Sequence, residues 1–171
     1  RLELTLTDGG EIQVTNEGTI HADAATVAKG GDADSAVVAD TRAYGISQNA
    51  LDYEGGPLAA NVQNFGEVEA VASALGTSVD GNVTTSVKGV GIGQAVNTYS
   101  ENASASISNT GLLLAAMRAS ASSTNGRAQV GFSGYGAGQY ATVFHEGDAS
   151  VTLSNSMDGS ILALFDGTAS G

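Results

Sequence analysis

The side chains best suited by type to chemistry are carboxylates. Asp32, Asp34 and Asp40 lie close together in sequence, and so do Asp52 and Glu54. Clustered acids can cleave polysaccharides, one carboxyl protonating the leaving oxygen while another acts as base or nucleophile. They can also hold calcium, which takes oxygen ligands. Sugar cleavage further needs a positive residue in the cleft and aromatic platforms, and neither is evident beside these acids. The stretch Gly30-Gly31-Asp32-Ala33-Asp34 has the style of the glycine- and aspartate-rich calcium nonapeptide, but that motif works by tandem repetition and occurs here once. Bound Ca²⁺ is therefore kept as an alternative, and no catalytic, cofactor or metal residue is assigned. His21 and His145 occupy unrelated places and read as surface residues. There is no cysteine to serve as a nucleophile, and no Ser, His and Asp set falls on a common face.

The elements that carry these residues are copies of one another. Asn16-Glu17-Gly18-Thr19-Ile20-His21-Ala22 returns as Asn64-Phe65-Gly66-Glu67-Val68-Glu69-Ala70 and as Asn109-Thr110-Gly111-Leu112-Leu113-Leu114-Ala115. A looser form, with two extra residues between Asn and Gly, begins at Asn155. The intervals are 48, 45 and 46 residues, within the range of repeat architectures. A second phrase shares the period: Tyr44-Gly45-Ile46-Ser47-Gln48, Val90-Gly91-Ile92-Gly93-Gln94 and Tyr135-Gly136-Ala137-Gly138-Gln139. The repeats run over about 11–58, 59–102, 103–148 and 149–171, within a single domain.

Inside each copy the apolar period is two, as in a strand with one buried face. Ile12, Val14, Asn16, Gly18, Ile20, Ala22 and Ala24 share one parity. In the third copy Ala103, Ala105, Ile107 and Asn109 do so, followed by Leu113, Ala115, Met117, Ala119 and Ala121. The expected fold is all-β, a parallel β-helix in which each repeat of about 46 residues holds roughly two coils. About seven coils at a spacing of about 4.8 Å would make a rod of about 35 Å. In such a stack Asn16, Asn64, Asn109 and Asn155 form a ladder at a corner, each amide bonded to its own turn and its neighbours. Gln48, Gln94 and Gln139 form a second one. The corner glycines Gly18, Gly66, Gly111 and Gly159 are expected where the backbone needs positive φ or tolerates no side chain. Segments around residues 29–34, 52–57 and 122–126 are expected to turn.

Facing outward after the corner, Thr19, His21, Glu67 and Glu69 give way to Leu112 and Leu114, then Leu162 and Leu164. An apolar strip on a solvent face marks a contact, so these four leucines are the expected interface, with a neighbouring subunit or a covering segment. The strand Leu2 to Thr7 is a candidate for donation to a neighbour. Asn82-Val83-Thr84 and Asn102-Ala103-Ser104 match the acceptor pattern for N-linked sugar.

Composition narrows the partners. The net charge is −12, from 18 acidic and 6 basic residues, which disfavours nucleic acid and anionic membrane surfaces. No run is apolar enough to cross a bilayer. With 24 glycines, one proline, 5% aromatics and no Trp, the core must be thin, as in stacked layers that each fill only their own ring. Beginning at Arg1 in mid-strand, the chain reads as a processed product or a segment of something longer.

The pairing of Asn-x-Gly-x-Ile/Val/Leu-x-Ala with Gly-Ile-x-Gln resembles the alanine-, glycine- and serine-rich arrays of large repetitive surface proteins of Gram-negative bacteria, similar to filamentous-haemagglutinin and autotransporter-passenger β-helices. The likeness extends over essentially the whole chain and departs at the leucine-rich fourth copy. It implies secretion or display at the bacterial cell surface, a role in adhesion, biofilm or fibre formation, and no catalytic residues. The leading expectation is an extracellular, fibre-forming or adhesin-stalk protein that self-associates and meets host or matrix glycans. The alternatives are a carbohydrate- or cation-binding module, or a polysaccharide-degrading β-helix enzyme.

Overall fold

The computed structural model describes residues 2–6, 9–31, 36–53 and 56–171. Asp32, Asp34 and Glu54 lie outside the described residues. Twelve strands are described and no helix: β1 (Leu2–Leu6), β2 (Gly10–Asn16), β3 (Thr19–Gly30), β4 (Val37–Asp52), β5 (Leu58–Asn64), β6 (Glu67–Ser78), β7 (Val83–Thr98), β8 (Ala103–Asn109), β9 (Leu112–Ser123), β10 (Ala128–Val143), β11 (Ala149–Asn155) and β12 (Ser160–Ser170). They form three four-stranded sheets: a long-strand sheet β1-β4-β7-β10, a short-strand sheet β2-β5-β8-β11 and a medium-strand sheet β3-β6-β9-β12. Every pairing is parallel. The chain visits the short, medium and long sheets in turn, the circuit of a parallel β-helix.

The register corrects the expected coil count. Asn16 pairs with Asn64, Asn64 with Asn109 and Asn109 with Asn155, while Gln48 pairs with Gln94 and Gln94 with Gln139. One repeat is therefore one circuit of three strands, and the two phrases sit on different sheets of the same rung. Periodicity alone misled here because two phrases per period fit two short coils as well as one long one. The short-strand and medium-strand sheets stack four strands at about 4.8 Å, so they span about 15 Å along the axis instead of the expected 35 Å.

Burial alternates as the apolar pattern requires. In β5 and β6 Leu58, Ala60, Val62, Asn64, Val68, Ala70, Ala72 and Ala74 are buried. The long strands add something the sequence did not announce. In β4 the buried set is Val37, Ala39, Thr41 and Ala43, but beyond Gly45 it becomes Ile46, Gln48, Ala50 and Asp52. One extra residue flips the parity, and pairing runs through Tyr44–Val90 and Ile46–Ile92 on either side of it. The same break recurs between Tyr135 and Ala137, bending the sheet into two limbs, as bulges do. Glycine is required at the bend: a Cβ on Gly91 would run into the carbonyl of Gly136 in the next rung.

The core is thin and divided accordingly. Ala39, Ala43, Ala70, Ala72, Ala115 and Met117 fill the space between the first limb and the medium sheet. Ile12, Ala50, Leu58, Ala60 and Val96 fill that between the second limb and the short sheet, and Ile46, Val62, Val68, Ile92, Ile107 and Leu113 join the two. Within this core the Thr85 hydroxyl is buried with no hydrogen-bond partner. Thr85→Val removes that desolvated group at nearly constant shape and is expected to stabilise the chain by about 1 kcal/mol in denaturant melts; a loss of stability would show that the hydroxyl is satisfied in solution.

Candidate functional site

The polar residues of the repeat converge in two internal ladders. At the turn between the short and medium sheets, Asn16 Nδ2 donates to Asn64 Oδ1, Asn64 Nδ2 to Asn109 Oδ1 and Asn109 Nδ2 to Asn155 Oδ1, each at 2.7 Å. Each amide also donates to its own turn, at 3.1 Å to Gly18 O, 3.1 Å to Gly66 O, 2.9 Å to Gly111 O and 2.8 Å to Gly159 O. The two extra residues after Asn155 loop out, and Ser160 still pairs with Leu112, so the register survives the loosened phrase. The corner glycines Gly18, Gly66, Gly111 and Gly159 are not among the positive-φ residues, which corrects that half of the expectation. What Gly66 and Gly111 need is the absence of a side chain. A Cβ on Gly66 would fall on the Gly18 carbonyl, and one on Gly111 on the Gly66 carbonyl.

The glutamine ladder runs the other way. Gln94 Nε2 donates to Gln48 Oε1 at 2.7 Å and Gln139 Nε2 to Gln94 Oε1 at 3.0 Å. Gln94 also reaches Ala60 O at 3.0 Å and Ser106 O at 3.1 Å, tying the long sheet to the short one.

Outward side chains divide among three places. Leu162 stacks on Leu114, whereas Leu112 faces Ser160 and Leu164 faces Ala116. The four leucines thus make a staggered patch on the medium sheet, with Leu162 and Leu164 the more exposed pair. His21 is bonded to Glu69 across one rung, Nδ1 to Oε2, at 2.8 Å. His145 leans on Tyr99, with ring centroids 4.5 Å apart and Nε2 at 2.8 Å from the tyrosine hydroxyl. Asp40 is paired with Arg42 at 3.0 Å, and buried Asp52 accepts the Gly56 N–H at 2.7 Å. Among the described residues no three His, Cys, Asp or Glu side chains converge as metal ligands do.

The third place was missed by the sequence reading. Outside the bend of the long sheet lies an open groove of about 520 Å³, lined by Arg42, Tyr44, Ser47, Asn49, Gly93 and Tyr135 among others. Its walls are the two limbs. Its floor includes the variable residue of the Gly-Ile-x-Gln phrase in two rungs, Ser47 and Gly93. In the third rung a Cβ on Gly138 would strike the Tyr135 ring, so that ring lies over Gly138 and closes the groove there. Lys88 Nζ stands 5.6 Å from the Tyr44 ring centroid. Arg42 and the rings of Tyr44 and Tyr135 share the concavity, a positive group with aromatic faces that the sequence expectation lacked. The signal was present, since Tyr44 and Tyr135 directly precede the phrase glycine, but the bend that makes their face concave was not legible.

No protein-family model, no curated protein and no solved structure matches this chain. The functional reading therefore rests on geometry. The amides of Asn64 and Gln94, buried inside the ladders, donate both to the neighbouring rung and to backbone carbonyls, which leaves them no hydrogen to offer a ligand. The surfaces left to act are the groove, the leucine patch and the exposed strand edges.

Proposed function

We propose that the chain is an extracellular structural protein, a β-solenoid segment of a fibre or adhesin stalk that lengthens by adding rungs. The observation that carries this reading is the chemistry of the last rung. Val151, Leu153 and Phe165 have inward parity and pair with Ala105, Ile107 and Met117. The latter are buried, yet Val151, Leu153 and Phe165 are 55%, 50% and 53% exposed. A face of core residues beside unpaired strand edges is complementary to another rung of the same kind.

The strand inventory suits such addition. A further rung set on this face would pair with β10, β11 and β12; where a second copy supplies it, its β1, β2 and β3 continue all three sheets. Such head-to-tail contact is heterologous and does not close, so it produces a filament. Extracellular placement is supported by the resemblance of the repeat phrases to bacterial surface arrays. The leucine patch supplies a lateral contact, and changing Leu112, Leu114, Leu162 and Leu164 to Ser is expected to raise solubility and reduce bundling; unchanged assembly would remove the patch from the account.

Sedimentation and electron microscopy of the 171-residue chain test the main reading. Concentration-dependent filaments are expected, and Val151→Lys with Leu153→Lys should abolish them while leaving the β circular dichroism of the monomer. Dispersed monomers at every concentration would overturn it.

A further inference from the structure

The groove of the long sheet has no part in rung addition, because it faces sideways from the stack. We propose that it binds an acidic oligosaccharide, a short chain of sugar rings carrying carboxylates. Three observations converge on that class.

The first is shape. Ser47 and Gly93 keep the floor low in two rungs, and Tyr44 and Tyr135, with Val90 between them, stand two rungs apart, about 9.6 Å along the axis. A cavity of about 520 Å³ is of the size that takes small ligands, and one whose lining runs from Tyr44 to Tyr135 along the repeat axis suits a linear polymer. The second is the nature of the walls. Aromatic side chains offer apolar faces with a polar tip, the match for a sugar ring whose axial hydrogens form an apolar face and whose rim is hydroxylated. Ser47 and Asn49 supply hydrogen-bonding groups at that rim.

The third is charge. The chain has only 6 basic residues, yet Arg42 and Lys88 pair directly across adjacent strands beside the tyrosine column. Like charges opposite one another in a sheet destabilise it, and Asp40 offsets only the Arg42 end. Arg42 lines the groove and Lys88 stands over the Tyr44 ring at its edge, so a ligand carboxylate beside Arg42 relieves the repulsion. The surrounding acidity then favours a short, sparsely charged glycan over a polyanion.

The test uses a matched pair: cellotriose and the trimer of β-1,4-linked glucuronate, which differ only in their C6 groups. The chain has five tyrosines and no Trp, two of them in the groove, so the change in tyrosine fluorescence on binding is read over a constant background from Tyr53, Tyr99 and Tyr140. The glucuronate trimer is expected to bind saturably with a Kd of about 1 mM or tighter, at least tenfold better than cellotriose. Arg42→Gln should remove most of that preference. Tyr44→Ala with Tyr135→Ala should lose binding of both sugars, and Gly93→Leu, which fills the floor beside Val90 and the Tyr135 hydroxyl, should do the same with circular dichroism unchanged; calorimetry replaces fluorescence for the tyrosine variant. Equal affinity for the two trimers would overturn the acidic assignment. Absence of saturable binding, or binding that survives Gly93→Leu, would overturn the groove.

Discussion

Asn64→Ala is expected to cost about 3 kcal/mol and to lower the melting temperature by about 10 °C. Asn64 is wholly buried in the middle of its ladder. Truncation leaves Asn109 Oδ1 without its 2.7 Å donor, a loss of about 1–3 kcal/mol when the group stays desolvated, and it takes the 2.7 Å acceptor from Asn16, which keeps Gly18 O and Glu67 O at 3.1 Å; the emptied side-chain volume adds about 1 kcal/mol. The Gly66 carbonyl is spared, because it also accepts the Leu112 N–H at 3.0 Å. The same substitution at Asn155, on the exposed end of the ladder, should cost only about 1 kcal/mol, since water replaces the lost partners. Equal losses at the two positions would mean that the ladder does not act through burial.

Asn64→Asp sharpens the test. An ionised carboxylate has no hydrogen for Asn109 Oδ1, whereas a protonated one does. The folded state then holds its proton more tightly than the unfolded chain, whose Asp titrates near pH 3.9. By linkage the stability of this variant relative to the parent is highest below about pH 4 and falls as the pH rises above it. A difference between variant and parent that does not depend on pH would contradict the donor role of the Asn64 amide.

Gly111→Ala is expected to cost about 3 kcal/mol or more, against less than about 0.5 kcal/mol for Gly18→Ala. The two glycines occupy the same place in the repeat. A Cβ on Gly111 meets the Gly66 carbonyl and backbone carbon of the preceding rung, whereas one on Gly18 has nothing within 4 Å. The asymmetry arises from stacking: each corner leans on the rung before it, and Gly18 belongs to the first. Paired thermal melts decide the matter, and a large loss at Gly18 would point to conformational strain at the turn in place of close approach between rungs.

Much of the fold could be read from the residues. Strand parity came from Ile12 through Ala24 and from Ala103 through Ala121, because a period of two admits only one set of residues to the interior. Spacing alone singled out Asn16, Asn64, Asn109 and Asn155, as it did Gln48, Gln94 and Gln139. An isolated buried amide is hard to satisfy, whereas one with copies above and below is satisfied by them. The coil count was not legible, since it depends on which residues pair across 45–48 positions and both circuits preserve the parity. The groove was hidden for a related reason. Tyr44, Arg42 and Tyr135 are plain in the sequence, but concavity comes from the parity break at Gly45, Gly91 and Gly136, where an extra residue bends the sheet.

Local pattern thus determined which side chains are internal and which recur, because alternation and period are properties of the chain itself. Tertiary structure alone decided how many strands close one circuit, why the corner glycines lack side chains, and which outward residues face one another across a hollow. Those outcomes depend on contact between rungs, where the position of one backbone is set by another some 46 residues away, and no local preference encodes that distance.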